Sequence, residues 1–170
     1  KITSLIGAMG DGVELNQLVS QWQITEGLHQ TNISGSVMVL DAEGIIRKLD
    51  DKGILGEETI TIKYKDFYDV TRTDTYFVYG VRSVTPFHPT NEKMLSYRLD
   101  FTSMENFNAS QKEVANSYNK MKISDIATEV YDEFFEGPKP LEIEETEGFH
   151  TLVIPLSSPH DAMTFLATRA

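Results

Sequence analysis

Apolar and polar side chains alternate along much of the first hundred residues of this chain. In the segment 94–101, apolar side chains occupy every second position and polar ones lie between them: Leu95, Tyr97, Leu99 and Phe101 against Ser96, Arg98 and Asp100. Successive side chains of a strand point to opposite faces, so this pattern is typical of a strand with one buried face. The N-terminal region is therefore predicted to be built from strands.

Further segments of the same region have strand-like patterns. They are residues 16–26, 33–41, 59–64 and 74–85. The adjacent apolar residues from Val37 to Leu40 predict that the strand 33–41 is covered on both faces. A short helix is predicted at 43–49, before the turn-like Asp50 and Asp51. Five or six mostly antiparallel strands predict a small barrel or sandwich.

The pattern changes after Phe101, where helical periodicity begins. An amphipathic helix is predicted at 110–118, and a second at 124–136 with Ser124 as its N-cap. Short strands are predicted at 141–145 and 151–154, and a last helix starts at Ser158. The fold class is therefore α+β, with a β-barrel domain over residues 1–105 and a small α+β module over 106–170. Because the chain lacks an initiator Met and ends within a helical pattern, we expect it to be part of a longer polypeptide.

Charge and composition restrict the classes of function. The chain carries 26 acidic and 15 basic residues, a net charge of −11, and contains no cysteine. Disulfides, thiolate metal sites and cysteine nucleophiles are thereby excluded. So acidic a surface repels phosphates, which argues against sequence-specific binding of DNA or RNA. No apolar run approaches the roughly 18 residues that a membrane-spanning helix requires.

Residue patterns that could support chemistry are weak in this sequence. The four histidines, His29, His88, His150 and His160, lack metal-site spacing, and His160 is interpreted as part of a helix start. The glycines of 7–12 lack the following Lys-Ser/Thr of a phosphate loop, so a hairpin tip is expected. The glutamates at 142, 144, 145 and 147 could hold a hard cation, but a strand with a solvated acidic face is favoured. Trp22 and the aromatics of 76–79 are expected in a core or interface. We therefore predict no catalytic, cofactor-binding or metal-binding residue and no enzymatic activity.

One order of motifs resembles a known family. The segment 97–107, YRLDFTSMENF, ends a strand; MKISDI at 121–126 opens a helix; IPLSSPHDAMTFLA at 154–167 contains a further helix. This order resembles the baseplate hub proteins of contractile-tailed bacteriophages, the family of the T4 hub protein. The strands of the first hundred residues look like the tail-tube β-barrel of that family.

The resemblance implies a structural protein of the virion, assembled in the host cytoplasm and located in the tail baseplate. It implies a trimer whose ring joins the tail tube protein to the central spike protein, beside other baseplate proteins. DNA would pass through the enclosed channel during ejection without sequence-specific binding. The strands 74–85 and 94–101 are expected in the barrel, and the loops 11–16 or 50–56 at contacts with neighbouring subunits. Alternatives left open are a hub of a type VI secretion or extracellular contractile injection system, a tail-associated cell-wall hydrolase domain, and a small-ligand barrel.

Overall fold

The chain divides into two compact units, Lys1–Ser103 and Met104–Ala170, which we call the sheet unit and the helical unit. The sequence placed this division between residues 105 and 106. The structure, a computed structural model, describes residues 2–6, 12–27, 32–42, 44–48, 54, 58–65, 67–88, 90–91, 94–136 and 139–170. The α+β class predicted from the sequence is confirmed.

One antiparallel sheet forms most of the sheet unit. Its described strands are β1 (Ile2–Ile6), β2 (Gly12–Val13), β3 (Val19–Thr25), β4 (Ser34–Asp41), β5 (Thr59–Lys65), β6 (Thr71–Pro86) and β7 (Leu95–Thr102). They are arranged in the order β2-β1-β5-β6-β7-β4-β3. The five strands from β3 to β7 were predicted, whereas β1 and β2 were not. The predicted short helix is present as α1 (Ile45–Lys48), and the Asp41 carboxylate accepts a hydrogen bond from Ile46 N at 2.9 Å near its start.

One face of the sheet carries the core. Buried strand side chains on this face include those at alternate positions of β4, β5 and β7: Val37, Val39, Ile60, Ile62, Leu95, Tyr97, Leu99 and Phe101. Tyr76 and Val78 of β6 join them, and the Tyr76 and Phe101 rings lie 4.9 Å apart. The opposite face of β4 is only partly covered, since Leu40 is exposed. The prediction that this strand is covered on both faces was therefore wrong. Its four adjacent apolar residues alternate between the buried core face and a partly exposed face.

The five strands β5-β6-β7-β4-β3 curl into a half-barrel. In a flat sheet, β5 and β3 would lie about 19 Å apart, since neighbouring strands are spaced by about 4.8 Å. Instead, the rings of Tyr64 on β5 and Trp22 on β3 have centroids 5.5 Å apart. Trp22 pairs with Val37, so this contact lies on the core face, which must be the concave one. Among the described residues the end strands β2 and β3 do not pair, so the sheet is curled and open.

The helical unit contains three helices and a two-stranded ribbon among its described residues. The elements are α2 (Met104–Ser110), β8 (Ser117–Met121), α3 (Ile123–Phe134), β9 (His150–Val153) and α4 (Pro159–Ala167). The ribbon pairs β8 with β9 antiparallel. The predicted apolar face of the long helix is confirmed, since Ile126 and Val130 are buried and Phe134 packs against the same cluster. Ala162 and Leu166 of α4 complete that cluster.

Three local predictions for this unit were wrong. Residues 110–118 are not a helix: α2 ends at Ser110, and Val114 exchanges backbone hydrogen bonds with Ser157 instead. Residues 141–145 have an irregular backbone and no strand partner within the described part of the unit. Ser124 is not the N-cap of α3, which begins at Ile123. Its amide instead donates to Thr146 Oγ1 at 3.0 Å, so a distant loop caps this helix.

Candidate functional site

The residues that the sequence singled out do not form one site. His29 and residues 7–11 lie outside the described part of the chain, as do most of the loop 50–56 and the turn-like Asp50 and Asp51. His88 is exposed after β6. The described residues contain no group of three or more His, Cys, Asp or Glu side chains that could hold a metal ion. They also contain no helix long and apolar enough to cross a membrane.

His160 has a packing role in the helical unit. The prediction of a helix start at Ser158 is confirmed, since Ser158 Oγ accepts from Asp161 N at 3.1 Å and donates to Asp161 Oδ2 at 2.7 Å. His160 Nε2 lies 2.6 Å from Asn106 Oδ1, and its ring meets Phe135 edge to face at 5.0 Å. Burial lowers the pKa of His160 below its ordinary value, while the charge of Asp161 partly opposes that shift. His160 therefore joins α2 to α4.

The four glutamates of the acidic segment 141–147 are exposed, whereas Leu141 and Thr146 are half-buried. Glu145 pairs with Lys122, and this hydrogen bond lowers the pKa of the Glu145 carboxyl and raises that of the Lys122 ammonium. Glu142 and Glu144 have no hydrogen bond or ion pair to any described residue. The solvated acidic face was expected on a strand, but it occurs on irregular backbone.

A polar groove lies on the convex face of the sheet, opposite the core. Strand register positions it: Asp100 pairs with Gly80 and Ser36, and Arg98 pairs with Arg82. A bulge between Val78 and Gly80 shifts β6 by one residue relative to β7. Because a shift of one residue exchanges the two faces of a strand, this bulge brings Arg82 onto the same side as Asp100.

The charged centre of the groove is one carboxylate between two guanidinium groups. Arg82 Nε lies 2.8 Å from Asp100 Oδ2, and Arg98 Nε lies 2.9 Å from Oδ1. Arg98 Nη2 donates to Oδ2 at 3.4 Å, whereas its Nε approaches Oδ1 too obliquely for a hydrogen bond and forms an ion pair only. The Asp100 side chain is 9% exposed, but those of Arg82 and Arg98 are 60% and 41% exposed. The group therefore presents a net positive charge at the surface.

The rim of the groove supplies neutral polar groups. It is formed by Gln23, Thr25, Ser34 and Ser36 together with the Tyr79 ring, and the groove has a volume of about 320 Å³. Guanidinium groups recognise carboxylates and phosphates through paired N–H donors. The arrangement can therefore hold a small oxyanion or a carboxylate side chain at the surface.

Sequence reasoning placed Arg98 and Asp100 on one strand face but did not identify this groove. Arg82 was not recognised as a partner of Asp100, because the bulge in β6 decides on which face of the sheet its side chain lies. Of the aromatics considered for ligands, Tyr76 is buried in the core, whereas Tyr79 reaches the groove. Their assignment to a core or interface is thus supported only for Tyr76 and for Trp22, which packs on Tyr64.

A second surface feature is an aromatic tip on the hairpin between β5 and β6. Phe67 and Tyr68 expose 96% and 83% of their surface, and Val70 beside them is also exposed. Their rings contact each other edge to face at 5.6 Å. An ion pair of 2.7 Å between Lys65 and Asp69 joins the two sides of the turn. Neighbouring exposed apolar side chains are typical of contact surfaces.

No protein-family model matches the sequence, and no curated protein matches it.

Proposed function

We propose that this chain is a structural part of the baseplate hub of a contractile phage tail, where copies form a ring around the DNA channel. The observation that carries the proposal is the curled five-strand antiparallel sheet, followed directly in sequence by α2, β8, α3, β9 and α4. This is the order that the resemblance implies: a tube-like β-domain, a short helix after its last strand, and further helices. The sheet unit is then the tail-tube-like domain of the ring.

Exposed apolar side chains support an assembling protein. Phe67 and Tyr68 project from a hairpin tip, and Phe149, Val153 and Leu156 are exposed on the helical unit. Adjacent apolar groups of this size favour contact with another surface, because water is released when they are covered. A ring of subunits would provide such cover by closed, repeated contacts.

The acidic balance supports a channel that does not hold DNA. With 26 acidic and 15 basic residues, the chain repels phosphates at the distances over which surface charges act. A ring made from such subunits would let a duplex pass with little adhesion.

The deciding experiment is the mass of the full-length protein in solution by light scattering, combined with negative-stain imaging. The proposal expects trimers that appear as rings with a central hole, and incorporation into complexes with purified tail tube and spike proteins. A variant with Phe67→Ser and Tyr68→Ser, which alters the exposed tip without touching the core, should form fewer rings than the wild type. A protein that stays monomeric at high concentration and joins neither partner overturns the proposal.

A DNA-binding measurement on the assembled ring complements the light-scattering experiment. We expect no retardation of a labelled DNA duplex by the assembled ring at moderate ionic strength, because anionic surfaces repel the duplex. Sequence-dependent retention of the duplex would contradict a passive channel.

A further inference from the structure

The convex-face groove has an unmatched positive charge. Asp100 is the one carboxylate beside Arg82 and Arg98 among the described residues that line the groove. Arg82 meets it through Nε, so the two terminal amino groups of this guanidinium remain available to an acceptor outside the described chain. The protein as a whole has a net charge of −11, so this positively charged groove is a site on its surface that attracts carboxylates.

The groove suits a side chain better than an enclosed ligand. Gly80 pairs with Asp100, and a Cβ atom built on it would meet only Arg82 Nε, at 4.0 Å. The space beside Asp100 is therefore open, and hydroxyl and amide groups of Ser36 and Gln23 lie on its rim. An open polar groove of about 320 Å³ is at the lower limit for small-molecule sites, which bury most of their ligand.

The chain itself contains a complementary segment. Glu142 and Glu144 are exposed, and neither has an ion-pair partner in the described part of its own chain. In an extended conformation, side chains two residues apart lie on one face at a spacing of roughly 7 Å. Arg82 and Arg98 are cross-strand neighbours with a comparable spacing of about 5 Å. Two carboxylates of one segment can thus reach two guanidinium groups.

We propose that the groove formed by Arg82, Arg98 and Asp100 binds the acidic segment 141–147 of a second copy of this chain. Glu142 and Glu144 are the side chains that pair with the two arginines. This contact is one interface of the proposed ring, so its biological setting rests on the proposed function. Its chemistry can be tested apart from ring formation.

The first test uses a labelled peptide of residues 139–147, KPLEIEETE, titrated against the full-length protein by fluorescence anisotropy. We expect saturable binding that weakens about tenfold or more when the peptide carries Glu142→Gln and Glu144→Gln, since charge-assisted hydrogen bonds are lost. Glu145→Gln in the peptide is the matched control, because that carboxylate pairs with Lys122 in the folded chain. Equal binding of the three peptides, or no binding up to millimolar peptide, overturns the proposal.

The second test changes the groove while leaving buried Asp100 at least one arginine partner. Gln23→Glu is nearly isosteric and places a carboxylate on the rim. It should weaken peptide binding about tenfold, whereas Lys63→Glu, an exposed change on the same sheet, should leave it within about twofold. Arg82→Gln should act like Gln23→Glu while Arg98 still holds Asp100.

Ring formation separates the two proposals. If the wild type forms rings and the full-length protein with Glu142→Gln and Glu144→Gln forms them equally well, the interface is wrong and the hub proposal stands. If the wild type forms no rings but still self-associates and binds the peptide through Arg82, the hub proposal fails and the site stands. Binding of a DNA duplex that depends on Arg82 and competes with the peptide would overturn the assignment of the occupant.

Discussion

The sheet unit buries a continuous series of side chains along neighbouring strands, whereas the helical unit depends on polar contacts from distant loops at its helix ends. In the sheet unit, Val37, Leu99 and Phe101 are among the fully buried side chains of the concave face. In the helical unit, α3 receives Thr146 at its N-terminal end and Lys112 at its C-terminal end. Lys112 Nζ donates to Glu133 O at 3.2 Å and to Glu136 Oε1 at 2.8 Å.

The two units should therefore be sensitive to different kinds of substitution. The sheet unit should be sensitive to changes in side-chain volume on its concave face, because its interior is close-packed. The helical unit should respond to the loss of single polar groups, because helix ends leave backbone groups without partners. Lys112 also offsets the unfavourable acidic residues at the end of α3.

Two spectroscopic probes can follow the units separately. Trp22 is the one tryptophan of the sequence and lies on β3, so its fluorescence reports on the sheet unit. The longer helices, α3 and α4, belong to the helical unit and dominate the helical circular dichroism signal. Each prediction below therefore has a probe that should respond and one that should respond less.

The largest expected effect is that of Phe101→Ala. The ring is fully buried on β7 and packs against Tyr76. Its removal should lower the free energy of unfolding by about 4 kcal/mol, through lost burial and the cavity left behind. Urea denaturation followed by Trp22 fluorescence measures it. Phe149→Ala, at an exposed site of the helical unit, is the control with an expected effect under about 0.5 kcal/mol. A loss below about 1 kcal/mol for Phe101→Ala would show that the curled sheet is not close-packed there.

A second prediction concerns Gly35, which pairs with Phe101 across β4 and β7. A Cβ atom at this position would overlap the Gln23 carbonyl oxygen and come within 2.5 Å of Phe101 Cζ. Gly35→Ala should therefore destabilise the sheet unit by about 2 to 3 kcal/mol, since the backbone of β3 must move. Chemical denaturation read by Trp22 fluorescence is the measurement.

Gly80→Ala provides a matched control on β6, which pairs with the other edge of β7. The added methyl group would have Arg82 Nε as its nearest described neighbour, at 4.0 Å, so a change within about 0.5 kcal/mol is expected. In the Phe101→Ala background, the effect of Gly35→Ala should shrink, because one of its two clashes disappears. Additive effects would mean that the ring does not press on Gly35.

The sequence predicted the sheet unit better than the helical unit for a physical reason. Successive side chains of a strand point to opposite faces, so β5 and β7 could be identified from the apolar residues at every second position of the sequence. The bulge that turns Arg82 to the convex face leaves no such periodic signal, because it depends on how β6 pairs with β7. The groove was accordingly missed, although two of its three charged residues had been placed on the correct strand.

In the helical unit, the wrong predictions are short segments that tertiary contacts decide. Asn116, Ser117 and Asn119 are weak helix formers, and this stretch gains more from pairing with β9 than from a helical turn. Thr146 could not be recognised as a cap for Ser124 because 22 residues separate them. The Ser158 start was predicted correctly, since its capping partner Asp161 lies within one helical turn.

A smaller effect is expected from Thr146→Val. The substitution keeps the shape of the side chain but removes the Oγ1 atom that accepts from Ser124 N. Loss of a helix cap should lower the stability of the helical unit by about 1 kcal/mol. Thermal unfolding followed by helical circular dichroism measures it. Thr164→Val, at an exposed position of α4, should change stability by less than half as much. If the two variants behave alike, Thr146 does not cap α3.

The smallest prediction is a pH dependence confined to the helical unit. Because burial lowers the pKa of His160 in the folded state, the unfolded chain binds this proton at a higher pH than the folded chain does. The stabilising difference is complete above the unfolded pKa, about 6.5, and is lost as the pH falls towards the lowered folded value. His160→Gln keeps a donor for Asn106 but cannot titrate, so this part of the pH slope should vanish. Melting curves read by helical circular dichroism should show the change, while Trp22 fluorescence should show none. An unchanged slope in the variant would mean that His160 is solvated as well in the folded chain as in the unfolded one, and that the contacts with Asn106 and Phe135 do not shield it.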